Sequence, residues 1–239
     1  LPKLGHRPVG DIDQRDIRDV LGPIWHTKAD TARKALNRLS IVFNHAAALD
    51  LEVDIQATAK AKALLGKTRY QPTPIPALPW RDAPDFYASL AEPTRVHLAL
   101  RLLILTGVRT KPVRFLHIGQ LEGDVWTIPA DLVKGRKGKT EVFRVPLSTE
   151  AMKVIELAKP MQRDGFLFTG LRRGVISDAT MARFMERRGM AERPHGFRST
   201  LRTWLSEGAD APSELAERIM SHRIENVIQR AYNRTDLLE

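Results

Sequence analysis

Pro194-His-Gly-Phe-Arg-Ser-Thr200 opens a helical pattern with a histidine and an arginine three residues apart, so His195 and Arg198 fall on one helix face. A helix N-terminus at that point adds potential that favours an anion. Upstream lies Leu105-Thr-Gly-Val-Arg-Thr110, where a helix that is apolar nearly all round must end at Gly107 and turn Arg109 out beside a buried scaffold. Downstream, Met220-Ser-His222 places His222 24 residues after Arg198 and 10 before Tyr232, which sits in Ala231-Tyr-Asn-Arg-Thr-Asp236.

Taken singly, each residue has a plain reading. Arg109 is a helix-capping arginine, His195 and His222 are structural histidines, Arg198 is an ion-paired arginine, and Tyr232 is a packing residue with a hydrogen-bonded hydroxyl. Taken together, two arginines, two histidines and a late tyrosine suit attack of a phenolic oxygen on a DNA phosphodiester. Such an attack places extra negative charge on a pentacovalent phosphorus, and preorganised cations stabilise it. Arginine suits that task because its planar fork donates two parallel hydrogen bonds and stays ionised. The other tyrosines, Tyr70 and Tyr87, lie in a proline-rich segment and in a helix after Trp80, apart from the basic boxes.

In the order and spacing of these boxes the chain resembles the tyrosine recombinases, the phage-type integrases, over nearly its whole length. The resemblance implies that Arg109 and Arg198 clamp the scissile phosphate and that His195 hydrogen-bonds or transfers protons. It implies that His222 donates to the same phosphate and that Tyr232 is the nucleophile. In the family a lysine on a β-hairpin protonates the leaving 5′-oxygen. Ile128-Pro-Ala-Asp-Leu-Val-Lys134 resembles that pattern, which puts Lys134 ahead of Lys137 and Lys139. Arg136, Lys137 and Lys139 then read as phosphate contacts. One position departs from the family: three residues after Arg109, where an acidic side chain usually stands, this chain has Pro112, preceded by Lys111.

Composition agrees with a polyanionic partner. The 239 residues carry 38 lysines and arginines against 28 acidic residues, a net charge of +10, and phosphate neutralisation with counterion release favours binding of such a chain to nucleic acid. An anionic membrane surface, or mere solubility, would account for the charge alone. With no cysteine, disulfides and thiolate metal sites are excluded, and a reducing cytoplasm is the expected compartment. No signal peptide or membrane-length apolar run is present, and no cluster of Asp, Glu and His has metal-ligand spacing.

The segment Gly66–Pro79 carries alternating prolines, which favour extended backbone, and residues 67–80 read as a linker between two domains. Residues 1–66 read as a small helical bundle. Asp13 caps a helix burying Ile17, Val20, Leu21 and Ile24; a helix from Ala29 to Asp50 buries Ala35, Leu39, Val42, Phe43 and Ala46; a third runs from Asp54 to Gly66. Lys28, Arg33, Lys34 and Arg38 are its candidate DNA contacts, because the matching domain of the family clasps one side of DNA; an ordinary solvated face is the plain alternative. Residues 81–239 read as the catalytic domain. Two strands are predicted there, Asp124–Pro129 and Glu141–Pro146, forming a hairpin. Helices are predicted at 94–105, 149–157, 178–188, 196–206, 212–220 and 226–235. The expected fold is mainly α with a small β-sheet: a helical core-binding bundle followed by a tyrosine-recombinase catalytic domain.

The expected activity is site-specific cleavage and rejoining of double-stranded DNA through a 3′-phosphotyrosyl link. That link conserves bond energy, so neither ATP, metal nor another cofactor is called for. A type IB topoisomerase and a catalytically silent DNA-binding module of the same fold are the alternatives. The resemblance further implies a homotetramer on paired DNA sites and room for accessory DNA-bending proteins. Because the chain opens at Leu1 without an initiator methionine and has only seven residues after Tyr232, it reads as a fragment that is monomeric when free.

Overall fold

In the computed structural model the described residues are 3–220 except 72, 136, 137 and 139. The chain divides into two compact units, Leu1–Pro74 and Ile75–Glu239.

The first unit is helical. Helix α1 (Gln14–Trp25) begins at Asp13, whose carboxylate accepts from the Arg15 and Asp16 amides while the Asp16 carboxylate accepts from the Asp13 amide, a reciprocal cap. Helices α2 (Ala29–Ala48) and α3 (Ala57–Leu65) complete the bundle. Ile17, Leu21, Leu39 and Phe43 form its centre, and the fully buried Ala57 and Ala61 let α3 approach closely.

Two details differ from the sequence reading. Val42 is 51 % exposed, because Leu39, Phe43 and Ala46 set the buried stripe of α2 and Val42 lies about 100° round the helix from Phe43. The third helix starts at Ala57 rather than Asp54. Asp54 closes the preceding turn instead, its carboxylate accepting from the Gln56 amide at 2.9 Å and from Lys60 at 2.8 Å.

The second unit is built around α5 (Arg95–Thr106). Leu98, Leu100, Leu102 and Leu103 point to different sides of this helix, and each is at most 1 % exposed. Such a helix has no solvent face and must be surrounded. Around it lie α4 (Ala83–Ala88), α6 (Thr110–Arg114), α7 (Thr149–Ala158), α8 (Thr180–Arg187), α9 (Gly196–Glu207) and α10 (Ser213–Ile219). Arg101 is the polar exception on α5. Its guanidinium lies over the Tyr87 ring at 4.8 Å and pairs with Glu150 at 2.9 Å, joining α4, α5 and α7.

One antiparallel sheet of three strands, in the order β1 (Leu121–Glu122), β2 (Val125–Ile128), β3 (Phe143–Pro146), covers one side of the helices. The expected hairpin is the β2–β3 pair, in the register Trp126 opposite Val145 and Ile128 opposite Phe143. Strand β1, two residues long, carries too little pattern to be read from sequence. Trp126 is wholly buried, and its indole N–H donates to Gln120 Oε1 at 3.0 Å. Among the described residues no helix is long and apolar enough to cross a membrane.

The proline-rich segment is not a free spacer. The Gly66 carbonyl accepts from the Trp25 indole at 3.0 Å, and Thr68 Oγ1 donates to the Trp25 carbonyl at 3.1 Å, both within the first unit. Residues 76–80 pack along α9 in the second: Thr200 Oγ1 donates to the Leu78 carbonyl at 2.6 Å, and the Trp80 indole donates to Glu207 at 3.0 Å. Its rigid ends follow from these hydrogen bonds, since proline itself supplies no donor.

Trp126 anchors the sheet on the helices, so Trp126→Ala should lower the stability of the second unit by about 3–5 kcal/mol, the usual cost of emptying a buried tryptophan site. Urea unfolding followed by far-ultraviolet circular dichroism checks it, and a loss below about 1 kcal/mol would contradict the packing described.

Candidate active site

The site begins where α5 ends. Gly107 takes the left-handed conformation, φ +60°, and its amide closes the helix on the Leu103 carbonyl at 2.9 Å. A side chain there would be strained, and its Cβ would lie 2.2 Å from Leu201 Cδ2 on α9. The chain then passes through buried Val108 to Arg109, which is extended and forms the N-cap of α6. Pro112, inside that short helix, is buried.

Arg198 reaches the same point from α9. It is 4 % exposed, and its guanidinium donates to the carbonyls of Gly107 and Met220. The start of α9 lies against the main chain of Pro76 because residue 196 is glycine: a Cβ there would meet the Pro76 carbonyl oxygen at 2.3 Å. Glycine at 196 is therefore a packing requirement, a signal that His-Gly-Phe-Arg does carry.

A cleft in the second unit gathers Arg109, Arg198 and Lys134, with Pro112, Val133 and Phe143 among its walls. Lys134 is exposed and lies in the loop between β2 and β3. Burial holds the Arg109 guanidinium below the usual arginine value. Burial first, and then the charge of Arg109, bring Arg198 down to about 10, against a smaller opposite pull from Glu217. Both remain charged at neutral pH. No hydrogen bond or ion pair to the Arg109 side chain is present among the described residues. Two like charges are thus held together in a half-dry recess, the arrangement that an anion relieves.

His195 stands at the N-cap of α9, one turn before Arg198, and is exposed; it does not line the cleft. His222, Tyr232, Arg136, Lys137 and Lys139 lie outside the described residues. In the first unit Lys28, at the N-cap of α2, and Arg33, Lys34 and Arg38 in its first half are all exposed, with Lys34 and Arg38 on one face and Arg33 paired to Asp30 at 3.3 Å. Tyr87 is accounted for otherwise: its hydroxyl donates to Glu150 at 2.8 Å. The sequence reading did not foresee Val133 and Phe143 in the cleft wall, since a hydrophobic residue in a turn or at a strand end has no signature that separates cleft from core. Among the described residues no group of acidic and histidine side chains is placed to hold a metal ion.

Comparison with known proteins follows the same division. The profile of the phage integrase family matches residues 81–237, and that of the phage integrase central domain matches residues 1–61. Prophage integrase IntZ of Escherichia coli K12 is 28 % identical over 253 residues, a match covering all of this chain and 59 % of that protein. Prophage integrase IntA of the same organism is 25 % identical over 250 residues, covering all of this chain and 58 % of that protein. The chain therefore spans about three-fifths of the length of these curated relatives. Among solved structures, a lambda integrase tetramer bound to a Holliday junction superposes with a TM-score of 0.70 at 17 % identity, over 95 % of this chain and 68 % of that one. The Tn1549 transposon integrase in complex with a circular intermediate DNA gives 0.66 at 16 % identity, over 92 % and 80 %. At these identities the structural likeness bears on the fold.

The crowding of two cations at the cleft leads to a measurable trade-off. Arg109→Gln removes one buried charge and its repulsion on Arg198, so in phosphate-free buffer its melting temperature should equal or exceed that of the parent. Added sulfate should raise the melting temperature of the parent more than that of the variant. A clear drop for Arg109→Gln without sulfate would mean that Arg109 is held by stabilising contacts instead.

Proposed function

Because the chain belongs to the phage integrase family, we propose that it cleaves and rejoins double-stranded DNA at specific sites through a phosphotyrosyl intermediate. The observation that carries this reading is the cleft itself, where Arg109 and Arg198 stand together without a compensating carboxylate partner for Arg109, opposite Lys134. A scissile phosphate seated there meets the charges of the Arg109 and Arg198 guanidinium groups, and each charge acts at high strength because the recess excludes much of the solvent.

In the proposed reaction the Tyr232 oxygen attacks phosphorus. A phosphorus–oxygen bond to tyrosine forms as the phenolic proton passes to His195, the proposed general base; the bond to the 5′-oxygen breaks, and the Lys134 ammonium gives that oxygen its proton. A 5′-hydroxyl from a second strand reverses the steps and restores the DNA backbone. His222 is proposed to donate a further hydrogen bond to the phosphate, with His195 one turn before Arg198 on α9. The energy of the broken bond stays in the phosphotyrosyl link, so the step needs neither nucleotide nor metal.

The first unit, with Lys28, Arg33, Lys34 and Arg38 on α2, is proposed to grip the duplex beside the cleavage site. Arg136, Lys137 and Lys139 add phosphate contacts from the β2–β3 loop. The lambda integrase complexes with DNA, among them a tetramer on a Holliday junction, support assembly of several copies on paired sites.

Tyr232→Phe loses only a hydroxyl and should bind DNA as the parent does, yet form no covalent adduct. The assay incubates protein with nicked duplexes tiled across the DNA flanking the gene and resolves protein–DNA adducts on a denaturing gel, with and without EDTA. Adduct formation by the parent, unchanged by EDTA and absent in the variant, is the expected result. An adduct that persists in Tyr232→Phe would move the nucleophile elsewhere. No adduct from the parent on any duplex, with DNA binding intact, would identify a silent DNA-binding module.

A further inference from the structure

Lys111 lies two residues after Arg109 in α6, and its ammonium donates to the Asp131 carbonyl at 2.8 Å. That carbonyl belongs to the turn that leads into Lys134. The turn is closed by the Leu132 amide on the Pro129 carbonyl at 3.0 Å and by the Val133 amide on the Ala130 carbonyl at 3.3 Å. Among the described residues between Ile128 and Phe143 none is in a strand, so strand pairing does not fix where Lys134 stands. Leu132 and Val133 rest against the core, which fixes depth but not lateral position, because apolar contact is not directional. An ammonium-to-carbonyl hydrogen bond is directional and charge-assisted, and here it runs from the helix that Arg109 caps.

From this geometry we infer that Lys111 is a positioning residue: it fixes the lysine-bearing turn to the arginine-bearing helix, so that Lys134 faces the phosphate held by Arg109. The inference rests on the reading of Lys134 as the group that protonates the leaving oxygen. It also gives a physical role to a segment, Lys111-Pro112, that departs from the family pattern. Pro112 puts a rigid, uncharged wall in the cleft. Lys111, on the outside of the same turn of helix, reaches the opposite loop through its long side chain.

The test uses the full chain and the duplex at which the parent forms its adduct, in two forms: the ordinary phosphodiester, and one with sulfur in place of the leaving 5′-oxygen. A thiolate leaves without a proton because thiols ionise at about pH 8.5. At saturating DNA, Lys111→Met should slow cleavage of the ordinary duplex by about tenfold to a hundredfold, the scale of a misplacement near 1 Å. It should cleave the sulfur duplex at close to the parent's rate, and Lys111→Arg should recover most of the loss on the ordinary one. Lys134→Ala serves as the reference. If sulfur fails to rescue Lys134→Ala, the role given to Lys134 is wrong and this inference falls with it. If sulfur rescues Lys134→Ala but not Lys111→Met, or if Lys111→Met weakens only DNA affinity, Lys111 is a structural or phosphate-contacting residue and the inference alone is overturned.

A second readout needs no DNA. Amide hydrogen exchange in the peptide spanning 129–135 should quicken in Lys111→Met and not in Lys111→Arg, while exchange in α5 stays unchanged. Unaltered exchange across 129–135 would overturn the inference whatever the cleavage rates.

Discussion

The second unit is organised around a cation that has almost no water. Arg198 carries its guanidinium under the surface and gives hydrogen bonds to two main-chain carbonyls, one at the end of α5 and one at the end of α10. A buried guanidinium without such acceptors would cost several kcal/mol. The acceptors exist because Gly107 bends backward at φ +60° and because α10 ends at Met220, so the ends of two helices converge on a third. Arg109 then emerges beside Arg198 as a geometric consequence of the same turn.

This arrangement separates stability from function at one position. In the free protein burial acts against the charge of both arginines, and the charge of Arg109 acts further against that of Arg198, with Glu217 pulling the other way. The wide apolar core, with α5 fully surrounded, is what the fold sets against that cost. A site of this kind is preorganised for an anion because the strain is already present before the anion arrives.

Much of this was legible in the sequence and some was not, for reasons that lie in the range of each interaction. Helix starts at Asp13 and Thr94, the stop at Gly107 and the β2–β3 hairpin depend on residues within a few positions of each other, and local pattern reveals them. The boxes around Arg109 and Arg198 are likewise local and family resemblance names Lys134 beside them, but the cleft that these three line is a property of the fold and has no local mark. The burial of Arg198 was not, because its acceptors stand 91 and 22 residues away and are carbonyls, which every residue has. Val42 failed for a different reason: a step of three or four residues fits two neighbouring stripes on a helix, and only the partner helices decide which is inside. The linker reading of the proline-rich segment carries no local mark of the hydrogen bonds that its ends accept from Trp25 and Thr200.

The close approach at Gly196 has a practical consequence for anyone who dissects the chain. The match to the phage integrase family profile begins at residue 81, which invites a cut just before Arg81. Such a cut would discard Pro76 and Leu78, the stretch that lies against Gly196 and accepts from Thr200. The helix that carries Arg198 would then lose a wall of main chain along its first turns, leaving an open seam where a hydrogen bond and a tight backbone contact had been. A piece of the second unit that keeps these contacts therefore starts ahead of Pro76, and the stretch from Pro76 to Pro79 is better regarded as the first strap of that unit than as part of a spacer before it.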